Sequence, residues 1–265
     1  MANTVWSGTD KGSACTLSGG NLTATMGSGG SWVRAVDRQV GGLFYFEATL
    51  TVVSGVTIGV AAPTADLSPG MSSGGAVGTC AVQTSGGAVY VSGTTVGVTF
   101  GAITAGTVLC IAVDATNRRI WFRLGAAGNW NNNVANNPAT GVGGVSIFPL
   151  GVGIPLYPAL VGGNTAAVTA NFGDTAFTGA VPSGFTSGFT AGASVPTNAI
   201  ASQALAEHWL TTNPTAQVTS VVAEHWASVA SDNLQAVVTF VALEHWTSVA
   251  VVVPAAGGPM VTMIH

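Results

Sequence analysis

The chain has 265 residues, of which only 6% are charged, and its six basic and ten acidic side chains give a formal net charge of −4. So few cations argue against binding nucleic acid by neutralising its phosphates. We also expect no membrane span and no secretory signal, because no apolar run reaches the required length of about 18 residues and the N-terminus lacks a basic stretch before an apolar one.

Low charge and 37 glycines predict a neutral surface rich in hydroxyl groups. Such a surface lacks the charge repulsion that keeps free proteins apart, which favours a protein packed into a larger assembly. The length leaves room for one large β domain and a smaller appendage.

From residue 3 to about 190, short runs of β-branched and aromatic residues alternate with turn residues. The predicted strands are residues 43–53, 56–61, 87–91, 95–100, 107–114, 119–124, 156–160 and 167–172. Strands at this density predict an all-β domain, an antiparallel sandwich or barrel.

Three cysteines, Cys15, Cys80 and Cys110, lie within or beside apolar runs of this region. An odd number in such surroundings predicts buried free thiols rather than a disulfide framework.

A long polar loop is predicted at residues 129–144. Its candidate ligand-binding residues are Trp130, Asn131, Asn132, Asn133 and Asn136. An aromatic platform with several amides suits a neutral glycan, but asparagine is also a common turn residue whose side chain caps its own backbone. Both interpretations remain open.

The region rich in Gly, Ser, Thr and Pro after residue 185 marks a boundary. We predict a first domain at residues 1–190, a linker at 191–198 and an assembly unit at 199–265. This last unit contains the tripeptide Glu-His-Trp three times, at Glu207-His208-Trp209, Glu224-His225-Trp226 and Glu244-His245-Trp246. Short repeats cannot bury an apolar face alone, so they stack on each other or on other chains.

The repeat segments are compatible with amphipathic helices, but the β-branched runs 218–222 and 237–241 favour strands. A row of His208, His225 and His245 could hold a metal, although nothing else in the sequence supports this, and we predict neither a metal nor a cofactor. Packing of these histidines with Trp209, Trp226 and Trp246 at an assembly interface is favoured, within one chain or between chains.

Five motifs, in order, resemble the SPRY family. They are Gly41-Gly42-Leu43-Phe44-Tyr45-Phe46-Glu47, Thr57-Ile58-Gly59-Val60-Ala61, Ala112-Val113-Asp114 with Arg119-Ile120-Trp121-Phe122-Arg123, Leu156-Tyr157-Pro158-Ala159-Leu160, and Asn171-Phe172-Gly173 with Pro182-Ser183-Gly184-Phe185. The resemblance implies a two-sheet antiparallel β-sandwich, a non-catalytic module whose loops at one edge bind peptides or proteins. It also implies structural roles for Glu47 and Asp114.

The Asn-rich loop, and residues 6–23 placed ahead of the domain, look similar to SPRY-like proteins of tailed bacteriophages. The repeats resemble the "V-V-V-E-V-L" segments near the ends of phage fibre proteins, with His-Trp in place of Val-Leu. These resemblances imply a non-enzymatic virion protein of a tail, fibre or capsid. We expect a homo-oligomer, with a trimer favoured, that contacts other virion proteins. The alternative is an adhesin for host-surface glycan or protein.

Overall fold

The computed structural model describes residues 3–28, 31–74 and 76–190, together with two short strands nearer the C-terminus. The chain divides into two compact units, Met1–Val195 and Pro196–His265. The first unit is the predicted all-β sandwich, built from a seven-stranded and an eight-stranded sheet. All its strand pairs are antiparallel except one short parallel pair.

The seven-stranded sheet takes its strands from both halves of the unit. Its spatial order is β1 (Trp6–Lys11), β4 (Ser31–Ala35), β13 (Tyr157–Gly162), β6 (Thr57–Ala61), β7 (Thr79–Gln83), β8 (Ala88–Val91) and β9 (Thr94–Thr99).

The eight-stranded sheet is centred on the longest strand, β5. Its spatial order is β12 (Val145–Ser146), β11 (Arg119–Leu124), β10 (Val108–Asp114), β5 (Leu43–Val52), β14 (Ala167–Asn171), β3 (Thr23–Met26) and β2 (Cys15–Ser18). The eighth strand, β15 (Thr186–Ser187), pairs with the first residues of β5 in parallel. Three short 3-10 turns, Trp130–Asn132, Pro138–Thr140 and Phe148–Leu150, interrupt the loops.

Alternation along the strands divides their side chains between the core and the outer faces. On β5, Phe44 and Phe46 enter the main core between the sheets, whereas Tyr45 points to the outer side. Each sheet therefore also needs a cover on its outer face. Residues 62–78 cover the seven-stranded sheet, where Leu67 and Met71 are buried, and the segments around Trp130 and Phe177 cover the eight-stranded sheet.

All eight predicted runs contain strands, with ends that differ by one or two residues. The first strands of the chain were not predicted individually, and the structure makes residues 6–23 part of the sandwich. Trp6 is fully buried in the main core, and its ring meets Phe172 edge-on at 5.1 Å between centroids. Strand propensity is weak in this stretch, so pairing with distant strands decides its conformation.

The prediction of buried free thiols is confirmed, because Cys15, Cys80 and Cys110 are all free and buried. Burial raises the pKa of all three thiols above the ordinary value. Each is therefore protonated near neutral pH and a poor nucleophile.

In the second unit the structure describes two short strands, β16 (Val238–Thr239) and β17 (Ala250–Val251), which pair antiparallel. Strand β16 lies within the predicted run 237–241. Among the described residues, no helix combines the length and apolar character that crossing a bilayer requires.

Candidate functional site

Two surfaces of the sandwich are candidates for recognition. The first is the predicted one, which we call the Trp130 loop and define as residues 125–144, between β11 and β12. The second is an apolar groove between the cover of the seven-stranded sheet and the segment that links β12 to β13.

The indole of Trp130 is packed against the domain and is only partly exposed. The guanidinium carbon of Arg123 lies 4.4 Å from its ring centroid, and the ring of Tyr45 meets it edge-on at 6.4 Å. One face of the indole is therefore occupied by a cation from the same domain.

Asn131 anchors the Trp130 loop to β11. Its side chain is 5% exposed; Oδ1 accepts a hydrogen bond from Phe122 N at 2.9 Å, and Nδ2 donates to Ile120 O at 3.2 Å and Gly143 O at 2.9 Å. Its backbone is left-handed, with φ of 47°, a conformation that asparagine tolerates better than most residues. The side chain thus has a structural role in this fold.

The other three predicted asparagines also bond to the protein backbone. Nδ2 of Asn136 donates to Trp130 O at 3.0 Å, and Oδ1 of Asn133 accepts from Ala135 N at 3.0 Å. Nδ2 of Asn132 donates to Thr99 O at 2.9 Å, which ties the loop to the edge strand β9. The geometry favours the turn-capping interpretation for these amides, and glycan binding by the loop stays a prediction.

Beneath the loop, three polar residues stand in register on adjacent strands: Glu47 on β5, Cys110 on β10 and Arg123 on β11. Oε1 of Glu47 accepts from the Tyr45 hydroxyl at 2.6 Å and from Gly179 N at 2.7 Å, and Oε2 accepts from Thr178 N at 2.9 Å. This buried carboxylate holds the cover segment on the sheet.

Burial raises the pKa of the Tyr45 hydroxyl, and its hydrogen bonds with Cys110 and Glu47 raise it further. Tyr45 is therefore neutral, and its hydroxyl donates a hydrogen bond to Glu47 Oε1. Asp114 is 5% exposed and accepts from Asn117 N and Nδ2 at 2.7 and 2.8 Å. These bonds give Glu47 and Asp114 the structural roles that the sequence resemblance implied. Within residues 3–190 as described, no group of three His, Cys, Asp or Glu side chains could hold a metal ion.

The groove was not predicted from the sequence. We call it the Pro149 groove; its cavity volume is about 400 Å³. One wall comes from residues 62–78 and the other from residues 148–154, which we call the Phe148 strap. The lining residues are Ala62, Pro63, Thr64, Asp66, Val77, Gly78, Pro149, Leu150, Gly151 and Ile154.

Large apolar side chains in and beside this groove face solvent. Val77 is 67% exposed, Phe148 56%, Val152 70% and Ile154 39%. Val77 and Ile154 line the groove, and Phe148 and Val152 lie next to lining residues in the Phe148 strap. Scattered apolar side chains are ordinary on a protein surface, but apolar side chains grouped at one groove make it a candidate interaction site. The sequence signal is the run Phe148-Pro149-Leu150-Gly151-Val152-Gly153-Ile154-Pro155, which is too interrupted by Gly and Pro for a strand but carries apolar side chains.

The predicted assembly residues fall elsewhere in the chain. His208, Trp209, His225, Trp226, His245 and Trp246 lie outside the described residues. Their role at an interface stays a prediction.

A scan against protein-family models finds no match, and a search of curated proteins finds none either. Among solved structures, the chain is similar to the SPRY domain of human HERC1, with 16% identity and a TM-score of 0.46 over 62% of this chain and 96% of that one. The PSpry domain of TRIM65 has 13% sequence identity and a TM-score of 0.47, and the match covers 64% of this chain and 92% of that one. A human SPRY domain has 17% sequence identity to this chain and a TM-score of 0.42, and the match covers 62% of this chain and 98% of that one. The first unit itself is an all-β sandwich of two sheets.

Proposed function

We propose that this protein is a non-enzymatic recognition and assembly component of a virus particle. In this proposal, the SPRY-like sandwich binds a protein partner through the Pro149 groove, and the C-terminal repeats join copies of the chain to each other or to other virion proteins.

The observation that carries the recognition role is the exposure of Val77, Phe148, Val152 and Ile154 around one groove. A domain with so few charged residues has little else on its surface to give a specific contact. Burial of apolar surface supplies about 25 cal/mol for each Å² removed from water, so an apolar groove is the strongest available source of binding energy.

The polar groups described above support a role without catalysis. Glu47, Tyr45 and Asp114 are engaged by hydrogen bonds inside the fold, and the thiols are protonated.

The assembly role and the virion location rest on sequence. The three Glu-His-Trp tripeptides and the 6% of charged residues favour a protein that packs against copies of itself or other coat proteins. The trimer is our preferred stoichiometry.

A photo-crosslinking pair tests the recognition role. The change Phe148→p-benzoylphenylalanine places a reactive group beside the groove, and Val134→p-benzoylphenylalanine places it on the Trp130 loop, where Val134 is 85% exposed. We expect crosslinks to one defined protein of the particle from position 148 and none from position 134. Crosslinks from position 134 alone would move the recognition surface to the Trp130 loop.

Light scattering tests the assembly role. We expect the full chain to form a defined multimer and a truncation to residues 1–198 to give a folded monomer, because the sandwich holds its own core. A monomeric full chain, or a truncation that still assembles, would contradict the role of the repeats.

The alternative is a glycan-binding adhesin that uses the Trp130 loop. The exposed amides of Asn132 and Asn133 and the free edge of the Trp130 ring would supply its contacts. Glycan-array binding by the wild type that Trp130→Ala abolishes would favour this alternative over the groove.

A further inference from the structure

The Pro149 groove combines apolar walls with a single charged lining residue, Asp66. Val77, on the same wall as Asp66, is 67% exposed, and Ile154, on the opposite wall, is 39% exposed. The side chain of Asp66 is also exposed. A ligand in this groove therefore meets apolar surface on both walls and one carboxylate on the wall formed by residues 62–78.

The carboxylate of Asp66 is ionised at neutral pH. Hydrogen bonds from the side chain and the backbone N–H of Ser68 lower the pKa of this group, and the Ser68 nitrogen lies 2.9 Å from Oδ1. The charge of Arg34 is the smallest cause of the lowered pKa, and Arg34 makes its ion pair with Asp10. Asp66 thus carries a full negative charge that no ion pair among the described residues neutralises.

The basic side chains of the protein are engaged elsewhere. The chain has six of them, all in the described part of the first unit, and each donates a hydrogen bond to another acceptor. The pairs are Lys11 with Cys15 O, Arg34 with Asp10 and Ala65 O, Arg38 with the Tyr157 hydroxyl, Arg118 with Ile154 O, Arg119 with Gly141 O, and Arg123 with Ala180 O. A lysine or arginine for Asp66 must therefore come from another molecule.

The same charge argument separates a foreign partner from a second copy of the chain. Residues 196–265 contain four acidic side chains, Glu207, Glu224, Asp232 and Glu244, and neither lysine nor arginine. Like charges repel, so the repeats of a neighbouring copy do not complement Asp66. The complementary cation belongs to a different protein.

The apolar walls favour lysine among the possible cations. A lysine side chain lays its four-carbon stem along apolar surface and keeps its ammonium group in water. Val77 and Ile154 offer such surface, and the exposed Asp66 lets the ammonium stay hydrated, so little desolvation opposes the pairing. Because Oδ1 already accepts from Ser68, a single ammonium also suits the carboxylate better than the planar fork of arginine.

We infer that the Pro149 groove receives a lysine side chain of the partner protein, with the stem between the apolar walls and the ammonium at Asp66. The inference deepens the proposed recognition function and rests on it. The pairing at Asp66 is exposed, so it contributes selectivity for lysine more than affinity.

A matched pair of peptides tests the inference on the full chain. Ac-Ala-Lys-Ala-amide carries the ammonium, and the same peptide with Nε-acetyl-lysine keeps the stem but lacks the charge. Binding is followed by NMR at the Ile154 methyl groups, with the buried Ile58 and Ile111 as internal references. We expect the lysine peptide to bind about threefold more tightly, which corresponds to about 0.7 kcal/mol. The difference should shrink in 1 M NaCl, because salt screens exposed charges.

Substitutions at two exposed aspartates assign the difference to one carboxylate. Asp66→Asn should make the two peptides bind equally, and Asp66→Glu should keep part of the difference. Asp174→Asn, which removes an exposed charge in the segment after β14, should leave the difference intact. Val77→Ser should weaken both peptides alike, because it removes apolar wall and no charge. Unaltered signals of the buried methyl groups show that each variant is folded.

Equal binding of the two peptides by the wild type, or a difference that survives in Asp66→Asn, would overturn the lysine assignment while leaving an apolar recognition groove in place. Tighter binding of Ac-Ala-Arg-Ala-amide than of the lysine peptide would overturn the choice of cation. No response of Ile154 to any of these peptides would also overturn the inference. The proposed function as a whole is tested separately by crosslinking from position 148.

Discussion

The Trp130 loop and the Phe148 strap lie on either side of the short strand β12, yet they use their side chains in opposite ways. The polar loop uses its amides to bond backbone groups of the domain: Asn131 is buried and bonded at both amide atoms, and Trp130 packs on Arg123. The apolar strap leaves Phe148 and Val152 more than half exposed. In this domain polar residues build the loop structure, and apolar residues remain available for a partner.

The physical reason is that the backbone N–H and C=O groups of the two segments need different numbers of hydrogen-bond partners. A long loop must satisfy its backbone groups without strand partners, and asparagine side chains supply donors and acceptors at short range. The strap needs fewer such bonds, because Pro149 lacks an N–H and the 3-10 turn Phe148–Leu150 closes its own. Its side chains are therefore not needed to hold its backbone.

The largest effect is expected at the carboxylate that holds the cover near the Trp130 loop. Glu47→Ala leaves Thr178 N, Gly179 N and the Tyr45 hydroxyl without an acceptor and removes the charge nearest in register to Arg123. The free energy of unfolding, from urea denaturation, should fall by about 3 to 5 kcal/mol, because each buried donor left without an acceptor costs about 1 to 3 kcal/mol. Glu47→Gln, which keeps an acceptor oxygen, should lose about half as much. A loss of unfolding free energy below about 1 kcal/mol in Glu47→Ala would show that the carboxylate does not hold the cover segment on the sheet.

A second pair of variants compares two asparagines of the same loop. Asn131→Ala removes the side-chain partner of two buried backbone groups, Phe122 N and Ile120 O, and of Gly143 O. It also places alanine in a left-handed conformation, so it should cost about 2 to 4 kcal/mol. Asn133→Ala removes one exposed turn bond and should cost about 0.5 kcal/mol or less. Equal losses in thermal or urea unfolding would show that Asn131 does not anchor the loop.

The third prediction concerns the indole itself. Trp130→Ala removes the packing against Arg123 and Tyr45 and should lower the free energy of unfolding by about 1 to 2 kcal/mol, because the ring is only partly buried. Trp130→Phe should recover part of the loss. Wild-type stability in Trp130→Ala would mean that the ring is free for a ligand after all, which would revive the glycan interpretation.

The smallest effect on stability is expected at the strap. Phe148→Ser should change the free energy of unfolding by no more than about 0.5 kcal/mol, because the ring is 56% exposed. The same variant should weaken partner binding in a pull-down of purified particle proteins. A large loss of stability would place Phe148 in the core and remove the main support for the groove.

The strands could be predicted from residue types because each run is rich in residues that favour strands. Strand β5 contains three consecutive aromatic residues, and β10 contains Val108-Leu109-Cys110-Ile111. The burial of the cysteines followed from the same runs. By contrast, β1 and β4 contain few residues of high strand propensity. They form strands because they pair with each other and because β4 also pairs with β13.

The candidate site divides in the same way. The sequence located the Trp130 loop by its length and asparagine content, but it did not reveal that Asn131 would bond to β11, since that bond joins residues whose contact depends on the turn of the loop. The Pro149 groove could not be predicted from the sequence, because its two walls are far apart in the chain, at residues 62–78 and 148–154.

Residue composition and strand-like runs by themselves determined an all-β domain with free buried thiols and few charged residues, because these properties follow from local patterns of side chains. Only the tertiary structure decided that Asn131 is buried while Phe148 and Val152 stay exposed, and it alone buried Arg118 with two guanidinium nitrogens, Nε and Nη1, that have no hydrogen-bond partner among the described residues. Contacts between distant segments set burial, and burial decides whether a polar group or an apolar one is left for a ligand.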